Sequence, residues 1–378
     1  PFLYGRIAEN ENFTNRRNET EFLKKNFKGL INTVIISPRR WGKASLVHKV
    51  AKLISEEEKD VIICQVDIFN CRTEEEFYTV FANSLLKSTT TVWEEFVGGV
   101  KKYLGRLAPI VSISDATQTY ELSFGIEFKD SRLSYDEILD LPQVIANDTK
   151  KRIVVYIDEF QNINEYEEPL AFQRKLRAHW QTHTSVCYCL YGSKRHMLLS
   201  IFNDYSMPFY KFGDILFLQK IERKDWVAFI SQRFADTGKQ ISDELSGMIA
   251  DKMKNHPYYT QQLSQQTWLR TSKECSEAIV NEAFNSLIGQ LSLLFTNIID
   301  SLTSRQISFL IAVADGVVNF SSKDILKHYQ LGTSANIKNL KKATLEKDLI
   351  DILPGNTIEI QDPAFEYWLK NVYQNPAR

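Results

Sequence analysis

The chain has 378 residues, of which 43% are hydrophobic and 25% are charged, and its formal net charge is −1 at pH 7. This composition is typical of a globular protein of two or three domains, and it excludes an overall field strong enough to draw the chain onto nucleic acid or a membrane. The five cysteines are scattered without a C-x-x-C pair, which indicates reduced thiols and a cytoplasmic protein. No apolar run approaches the ~20 residues that would cross a bilayer, and the first residues lack a secretory signal pattern.

The first informative pattern combines a strand, a loop and a helix. A helical pattern from about Asn18 precedes a short apolar run, Thr33–Ile36, which leads into the turn Ser37–Gly42. An amphipathic helix is predicted from Lys43 to Glu57. This order predicts a phosphate-binding loop, because the free backbone N–H groups at the start of the helix attract an anion.

Two residues of this loop carry most of the predicted chemistry. Gly42 lets the backbone approach the phosphates, and Lys43 supplies a positive charge for the β- and γ-phosphates. Two others depart from the G-x-x-x-x-G-K-[ST] pattern, since Ser37 replaces the first glycine and Ala44 replaces the hydroxyl that would bind Mg²⁺. We expect Ser45, one residue further round the helix, to face the α-phosphate instead.

A second motif follows a longer α/β segment. Val61–Val66 reads as a buried strand, residues 74–104 as a helical region, and residues 109–128 as an inserted hairpin. The apolar run Ile153–Ile157 then leads directly to Asp158 and Glu159. At the end of a buried parallel strand, Asp158 is placed to bind Mg²⁺ and Glu159 to activate a water molecule.

Two further strands complete the predicted sheet. Val186–Ser193 is a fourth apolar strand that ends in a polar turn, and Asp214–Leu218 is a fifth. The hydroxyl of Ser193 at the strand tip is a candidate sensor of the γ-phosphate, while a simple Gly-Ser turn explains the residue equally well.

The remainder of the chain has a different character. From Arg223 to about Asn297 the pattern is helical throughout. Residues 300–378 then show three helices, a hairpin around Pro354-Gly355-Asn356 and a last helix, which is a winged-helix order. Four lysines lie on or beside its third helix, namely Lys338, Lys341, Lys342 and Lys347. Nearby acidic residues offset their charge, so the sequence gives only weak support for DNA binding.

The segments FTNRRNE, ISPRRWGKAS, VVYIDEFQ, LYGS, NHPYYTQQL and DPAFEYWL resemble the prokaryotic STAND-type P-loop ATPases of the archaeal-ATPase-like group in the AAA+ class. The resemblance implies an α/β fold with an AAA+-like parallel sheet in residues 1–222 and a hairpin insertion at 109–128. It also implies a helical lid at 223–299 and a winged-helix domain at 300–378, folding back on the nucleotide.

The same resemblance assigns residues to roles. Phe13, Asn15 and Arg16 correspond to the adenine-side segment, and His256 and Pro257 to the lid motif that meets the nucleotide. The catalytic residues are Lys43, Glu159 and Ser193, and the metal-side residue is Asp158. The phosphate loop comprises Ser37, Pro38, Arg39, Arg40, Trp41, Gly42, Lys43, Ala44 and Ser45.

The leading hypothesis is therefore a nucleotide-dependent switch that binds ATP or ADP with Mg²⁺ and hydrolyses ATP, slowly because of Ala44. Relatives of this type open into oligomers with ATP, so a homo-oligomer or a protein partner is expected. A nucleotide-binding module without turnover and a winged-helix regulator that binds DNA are the alternatives.

Overall fold

A computed structural model describes residues 1–93, 108–113, 120–125 and 135–374, with only the backbone described for 108–113 and 120–125. Contacts divide the chain into two compact units. The sheet unit comprises residues 16–39 and 43–219, and the helical unit comprises residues 1–15, 40–42 and 220–378.

The sheet unit is built around five parallel strands. The strands are β1 (Thr33–Ile36), β2 (Val61–Asp67), β5 (Arg152–Asp158), β6 (Val186–Tyr191) and β7 (Asp214–Phe217). Their order in the sheet is β2-β5-β6-β1-β7. The strand β1 before the phosphate loop is interior and completely buried, as an apolar run covered on both faces should be. The predicted α/β class with a parallel sheet is confirmed.

Helices alternate with these strands. They are α1 (Arg17–Lys28), α2 (Lys43–Glu57), α3 (Glu74–Trp93), α4 (Tyr135–Thr149), α5 (Pro169–Trp180) and α6 (Arg195–Phe202). Apolar residues of α3, α4, α5 and α6 form one core with the sheet, in which Trp180 stacks on Tyr188 at 4.2 Å between ring centroids. The part of the predicted 74–104 helix beyond Trp93 lies outside the described residues.

The predicted insertion is a separate hairpin. Strands β3 (Ala108–Ile113) and β4 (Tyr120–Gly125) pair antiparallel and form a two-stranded sheet of their own. Residues 126–128 of the predicted hairpin lie outside the described residues.

The helical unit has a second apolar core. Its first four helices are α7 (Arg223–Ala235), α8 (Asp243–Lys252), α9 (Pro257–Arg270) and α10 (Glu277–Asp300). Phe2 packs into the same core, with its ring 5.9 Å from that of Phe229. On length and composition alone α10 could cross a membrane, but seven of its side chains, from Val280 to Ile299, are buried, and a core helix meets the same criterion.

The C-terminal elements have the predicted winged-helix order. They are α11 (Ser304–Ala314), α12 (Lys323–His328), α13 (Ser334–Glu346), β8 (Ile350–Ile352), β9 (Ile358–Ile360) and α14 (Pro363–Trp368). Strands β8 and β9 pair antiparallel across the predicted turn, where Gly355 adopts a φ of 81°. That positive φ explains the need for glycine at this position.

Candidate functional site

The phosphate loop lies between a buried strand and the start of a helix. Its turn is made with two residues in the left-handed region, Gly42 with a φ of 88° and Arg40 with a φ of 63°. Ser37 does not have a positive φ, so replacing the first glycine of the pattern by serine costs no backbone strain. The helix α2 begins at Lys43, and its first-turn amides therefore have no partners within the helix.

The side chain of Lys43 is folded back against the loop. Its Nζ donates to the Pro38 carbonyl oxygen at 2.7 Å, to the Ser37 carbonyl oxygen at 3.1 Å and to the Ser37 hydroxyl at 3.3 Å. Burial lowers the pKa of Lys43 to about 8, while the charges of Glu159 and Asp158 oppose that shift. The loop lysine thus lies within the electrostatic reach of both predicted acids.

The two acids end strand β5 next to the end of strand β2. Asp158 pairs in register with Asp67, so two carboxylates meet at the carboxyl edge of the sheet. Burial, followed by the charge of Glu159, raises the pKa of Asp158 to about 7. The Oδ1 atom of Asp67 accepts from the Phe69 backbone N–H at 2.8 Å, and the position of Asp67 beside Asp158 was not predicted from the sequence.

Glu159 follows the strand in a left-handed conformation, with a φ of 55°, at the start of a short 3₁₀-helix, Phe160–Glu165. Its Oε2 accepts from the Ser193 hydroxyl at 2.9 Å, from the Ser193 backbone N–H at 3.2 Å and from the Gln161 side-chain amide. The structure thus brings the predicted base and the predicted sensor together, because β5 and β6 are neighbours in the sheet. Gln161 was not identified from the sequence.

The helical unit contains the remaining predicted loop and lid residues. His256 precedes Pro257, the first residue of α9, and burial lowers the pKa of His256 to about 3. Its Nδ1 has no hydrogen-bond partner among the residues that the structure describes. Trp41 lies edge-on to the His256 ring at 6.4 Å. The Arg40 guanidinium lies over the Tyr258 ring at 4.7 Å from its centroid. The neutral imidazole and these loop residues therefore form one cluster.

The three predicted adenine-side residues do not all lie in the same unit. Phe13 and Asn15 belong to the helical unit, and Arg16 belongs to the sheet unit. The Asn15 side-chain amide donates to Asp225 at 2.7 Å, and the buried Arg16 forms an ion pair with Glu19 at 2.9 Å. Asn15 and Arg16 both have a positive φ, which marks a tight turn before α1.

The donor set of the sheet unit fits a nucleotide-bound Mg²⁺ ion in part. Mg²⁺ is usually held by one or two carboxylates together with phosphate oxygens and waters. Asp158 and Asp67 can supply the carboxylates. Ala44 supplies no ligand. Within the described ranges, no group of three or more His, Cys, Asp or Glu side chains could hold a metal ion without such phosphates.

Comparisons with known proteins agree with this architecture. Residues 293–371 match the family model described as "Probable winged helix domain", which starts inside α10. No curated protein sequence matches the chain.

Solved structures are similar to almost the whole chain. A Walker-type ATPase of Pyrococcus abyssi is similar with a TM-score of 0.67 and 14% identity, covering 96% of this chain and 98% of that one. The ORC2 protein of Aeropyrum pernix, solved as ADPNP-ADP complexes, is similar with a TM-score of 0.57 and 14% identity, covering 99% of both chains. These likenesses show that the chain shares the fold of those two proteins, and the family model shows the winged helix at its C-terminal end.

Proposed function

We propose that this protein is a STAND-type ATPase, a switch that binds ATP and hydrolyses it to ADP and phosphate. The observation that carries the proposal is that the charges of Glu159 and Asp158 both act on the buried ammonium of Lys43. A loop lysine beside an acid pair at the carboxyl edge of a parallel sheet is the arrangement that phosphoryl transfer requires. The free, buried thiols of the described residues suit the reducing cytoplasm.

Each of the site residues in the sheet unit is assigned a role in this reaction. The amides of the loop and Lys43 bind the β- and γ-phosphates, and Asp158 would hold a Mg²⁺ ion, which would supply positive charge against the phosphates. Glu159 takes a proton from water as the water oxygen attacks the γ-phosphorus and the bond to the β-phosphate oxygen breaks. Ser193 lies beside Glu159 and is proposed to sense the γ-phosphate.

Residues outside this group complete the proposed nucleotide contacts. We assign Phe13, Asn15 and Arg16 to the adenine side, and His256 with Pro257 to the lid contact. His256 is buried and, within the described part of the chain, its Nδ1 has no partner, so a polar group of a ligand would satisfy it. The switch between ADP and ATP forms, and the oligomer that accompanies it, are parts of the same proposal.

The decisive experiment is phosphate release from ATP with Mg²⁺, comparing the wild type with Glu159→Gln. Removing a general base lowers the rate by roughly 100- to 10,000-fold, while ATP affinity, measured separately, stays near the wild-type value. Equal rates in the two proteins would remove Glu159 from the mechanism. A wild type that binds no nucleotide would refute the whole proposal.

A second candidate is a nucleotide-binding module without turnover, and Ala44 is the observation that favours it. The loop amides and Lys43 do not depend on the missing hydroxyl, so binding can persist when hydrolysis is lost. Wild-type protein that binds ATP with Mg²⁺ but releases no phosphate would select this candidate.

DNA binding through the winged helix is the third candidate, and three of its four lysines already have side-chain contacts within the chain. On α13, Lys342 pairs with Glu346 at 3.8 Å and Lys341 lies over the Phe320 ring at 5.6 Å. Lys347, just after the helix, donates to the Ser301 carbonyl oxygen at 3.4 Å. Affinity for duplex DNA that falls steeply as salt rises would support phosphate contacts, and a flat salt dependence would oppose them.

A further inference from the structure

The side-chain amide of Gln161 is buried between the ends of two strands. Gln161 follows β5 within the short 3₁₀-helix and is 1% exposed. Its Nε2 donates to Oε2 of Glu159 and, at 3.3 Å, to Oδ1 of Asn162. Asn162 in turn donates to the Phe69 carbonyl oxygen at 3.2 Å, in the loop after β2. Gln161 is thus fixed to the loop that follows β2 as well as to Glu159.

The next strand leaves room for this amide. Gly192 directly follows β6, and a Cβ at this position would overlap Oε1 and crowd Cδ of Gln161. The φ of Gly192 is not positive, so the backbone conformation alone does not require glycine here. The requirement is space, because the chain passes close to a buried side chain that contacts Glu159.

The hydrogen bonds to Glu159 are asymmetric. Three donors reach Oε2, two from Ser193 and one from Gln161, and within the part of the chain that is described Oε1 accepts none. Hydrogen bonds to a carboxylate are roughly twice as strong as neutral ones. A carboxylate held by one oxygen keeps a fixed orientation, and its other oxygen can accept a proton from water.

We propose that Gln161 is a positioning residue for ATP hydrolysis: its amide holds Oε2 of Glu159 so that Oε1 is presented to the attacking water. The inference rests on the proposed ATPase activity. Gln161 does not touch the reacting atoms, and it acts only through the orientation of Glu159. Ser193 holds the same oxygen, so the two residues share one task.

The test is a steady-state comparison of the wild type with Gln161→Met, which keeps the length of the side chain and removes the donor. Misplacing a reacting group by about 1 Å costs roughly 100-fold in rate, so kcat should fall by about 10- to 100-fold while KM for ATP stays within about twofold. A wild-type kcat in Gln161→Met would overturn the inference, as would a raised kcat, which would show that the amide restrains the base.

Gln173→Met is the matched control. Gln173 is also fully buried in the sheet unit, and its amide donates to Asn164 at 2.7 Å in the same 3₁₀-helix without contacting Glu159. Its kcat should match the wild type. An equal loss in both variants would assign the effect to loosening of the 3₁₀-helix and would overturn the role given to Gln161.

Gly192→Ala supplies an independent test that leaves Gln161 in place. The added methyl group displaces the amide, so kcat should fall as in Gln161→Met. In a Gln161→Ala background the overlap with the amide is gone and only the approach to the Cα atom of Glu159, at 3.3 Å, is left, so Gly192→Ala should cost little more. Simple multiplication of the two losses would count against the inference. Absence of turnover in the wild type refutes the ATPase proposal and this inference with it, whereas turnover insensitive to Gln161 refutes the inference alone.

Discussion

The Nζ of Lys43 lies 2.7 Å from the carbonyl oxygen of Pro38, so the phosphate loop closes on its own lysine. Ser37 supplies two further acceptors, its carbonyl oxygen and its hydroxyl. A nucleotide that binds here must exchange these loop oxygens for phosphate oxygens. This exchange replaces neutral oxygens around Lys43 by charged ones. It therefore changes the pKa of Lys43, and the protons taken up on binding can be measured.

We predict proton uptake when ATP binds at pH 8.5 to 9. Burial lowers the pKa of Lys43 to about 8, so much of it is neutral in the free protein at this pH. Phosphate charge favours the ammonium form, so binding raises the pKa and draws in a proton, and affinity falls as pH rises through about 8. Calorimetry in buffers of different ionisation enthalpy measures the uptake.

The control is the same titration at pH 6.5, where Lys43 is already protonated and uptake by this group should vanish. Uptake of equal size at both pH values would assign the proton to another group, such as a phosphate or a carboxylate.

Ala44→Thr should raise Mg²⁺-dependent phosphate release. The threonine hydroxyl restores the ligand that the loop pattern places at this position, and Mg²⁺ depends on near-ideal octahedral coordination. We expect turnover to rise by about tenfold, corresponding to about 1.4 kcal/mol of transition-state stabilisation. Ala44→Val is the matched control, since it adds a similar volume without the hydroxyl. A similar rate in Ala44→Thr and the wild type would show that the missing hydroxyl does not limit hydrolysis.

Tyr259→Phe should destabilise the helical unit. The Tyr259 hydroxyl donates to Asp362, whose other carboxylate oxygen caps α14 by accepting from the backbone N–H groups of Ala364 and Phe365 at 2.9 and 3.0 Å. Removing one hydrogen bond to a buried charged group costs about 1.5–3 kcal/mol. The free energy of unfolding in urea measures the loss.

Tyr258→Phe is the comparison for that loss, because Tyr258 is the neighbouring tyrosine, is partly exposed and, among the described residues, does not donate its hydroxyl to Asp362. A loss in Tyr258→Phe as large as in Tyr259→Phe would contradict the importance of the bond to Asp362.

Gly213→Ala should weaken the edge of the sheet. A Cβ at residue 213 would overlap the backbone carbonyl oxygen of Asn32, which accepts from the Asp214 N–H at 2.8 Å where β7 joins β1. Backbone cannot move aside as a flexible side chain can, so we expect a loss of about 1–3 kcal/mol by urea unfolding.

Gly289→Ala provides the opposite case. Gly289 lies inside α10 with open space around its Cα, so alanine should stabilise this helix by about 1 kcal/mol. Losses of equal size at both positions would show that close approach to Asn32 is not what makes Gly213 necessary.

The sequence predicted those features that depend on local order along the chain. The run Thr33–Ile36 followed by Gly42 and Lys43 indicated the loop, and Ile153–Ile157 followed by two acids indicated the acid pair. The winged-helix order was predicted because its helices and its turn carry local signals. The predicted domain boundaries stay a prediction. By contacts, residues 1–15 group with the helical unit.

What the sequence did not predict depends on which strands are neighbours. Asp67 meets Asp158 because β2 pairs with β5, and Ser193 meets Glu159 because β5 pairs with β6. Periodicity identifies strands without giving their order in the sheet. The position of Gln161 was missed for the same reason, since the space for its side chain is left by Gly192, which follows another strand. That Ser193 senses the γ-phosphate stays a prediction.

The hairpin β3–β4 has a practical consequence for engineering the protein. Its strands pair with each other in a sheet separate from the five parallel strands. A label or an exchanged segment placed there would interrupt no hydrogen-bonded ladder beneath the phosphate loop. The hairpin is thus a suitable attachment point for a reporter that follows the proposed nucleotide cycle in solution.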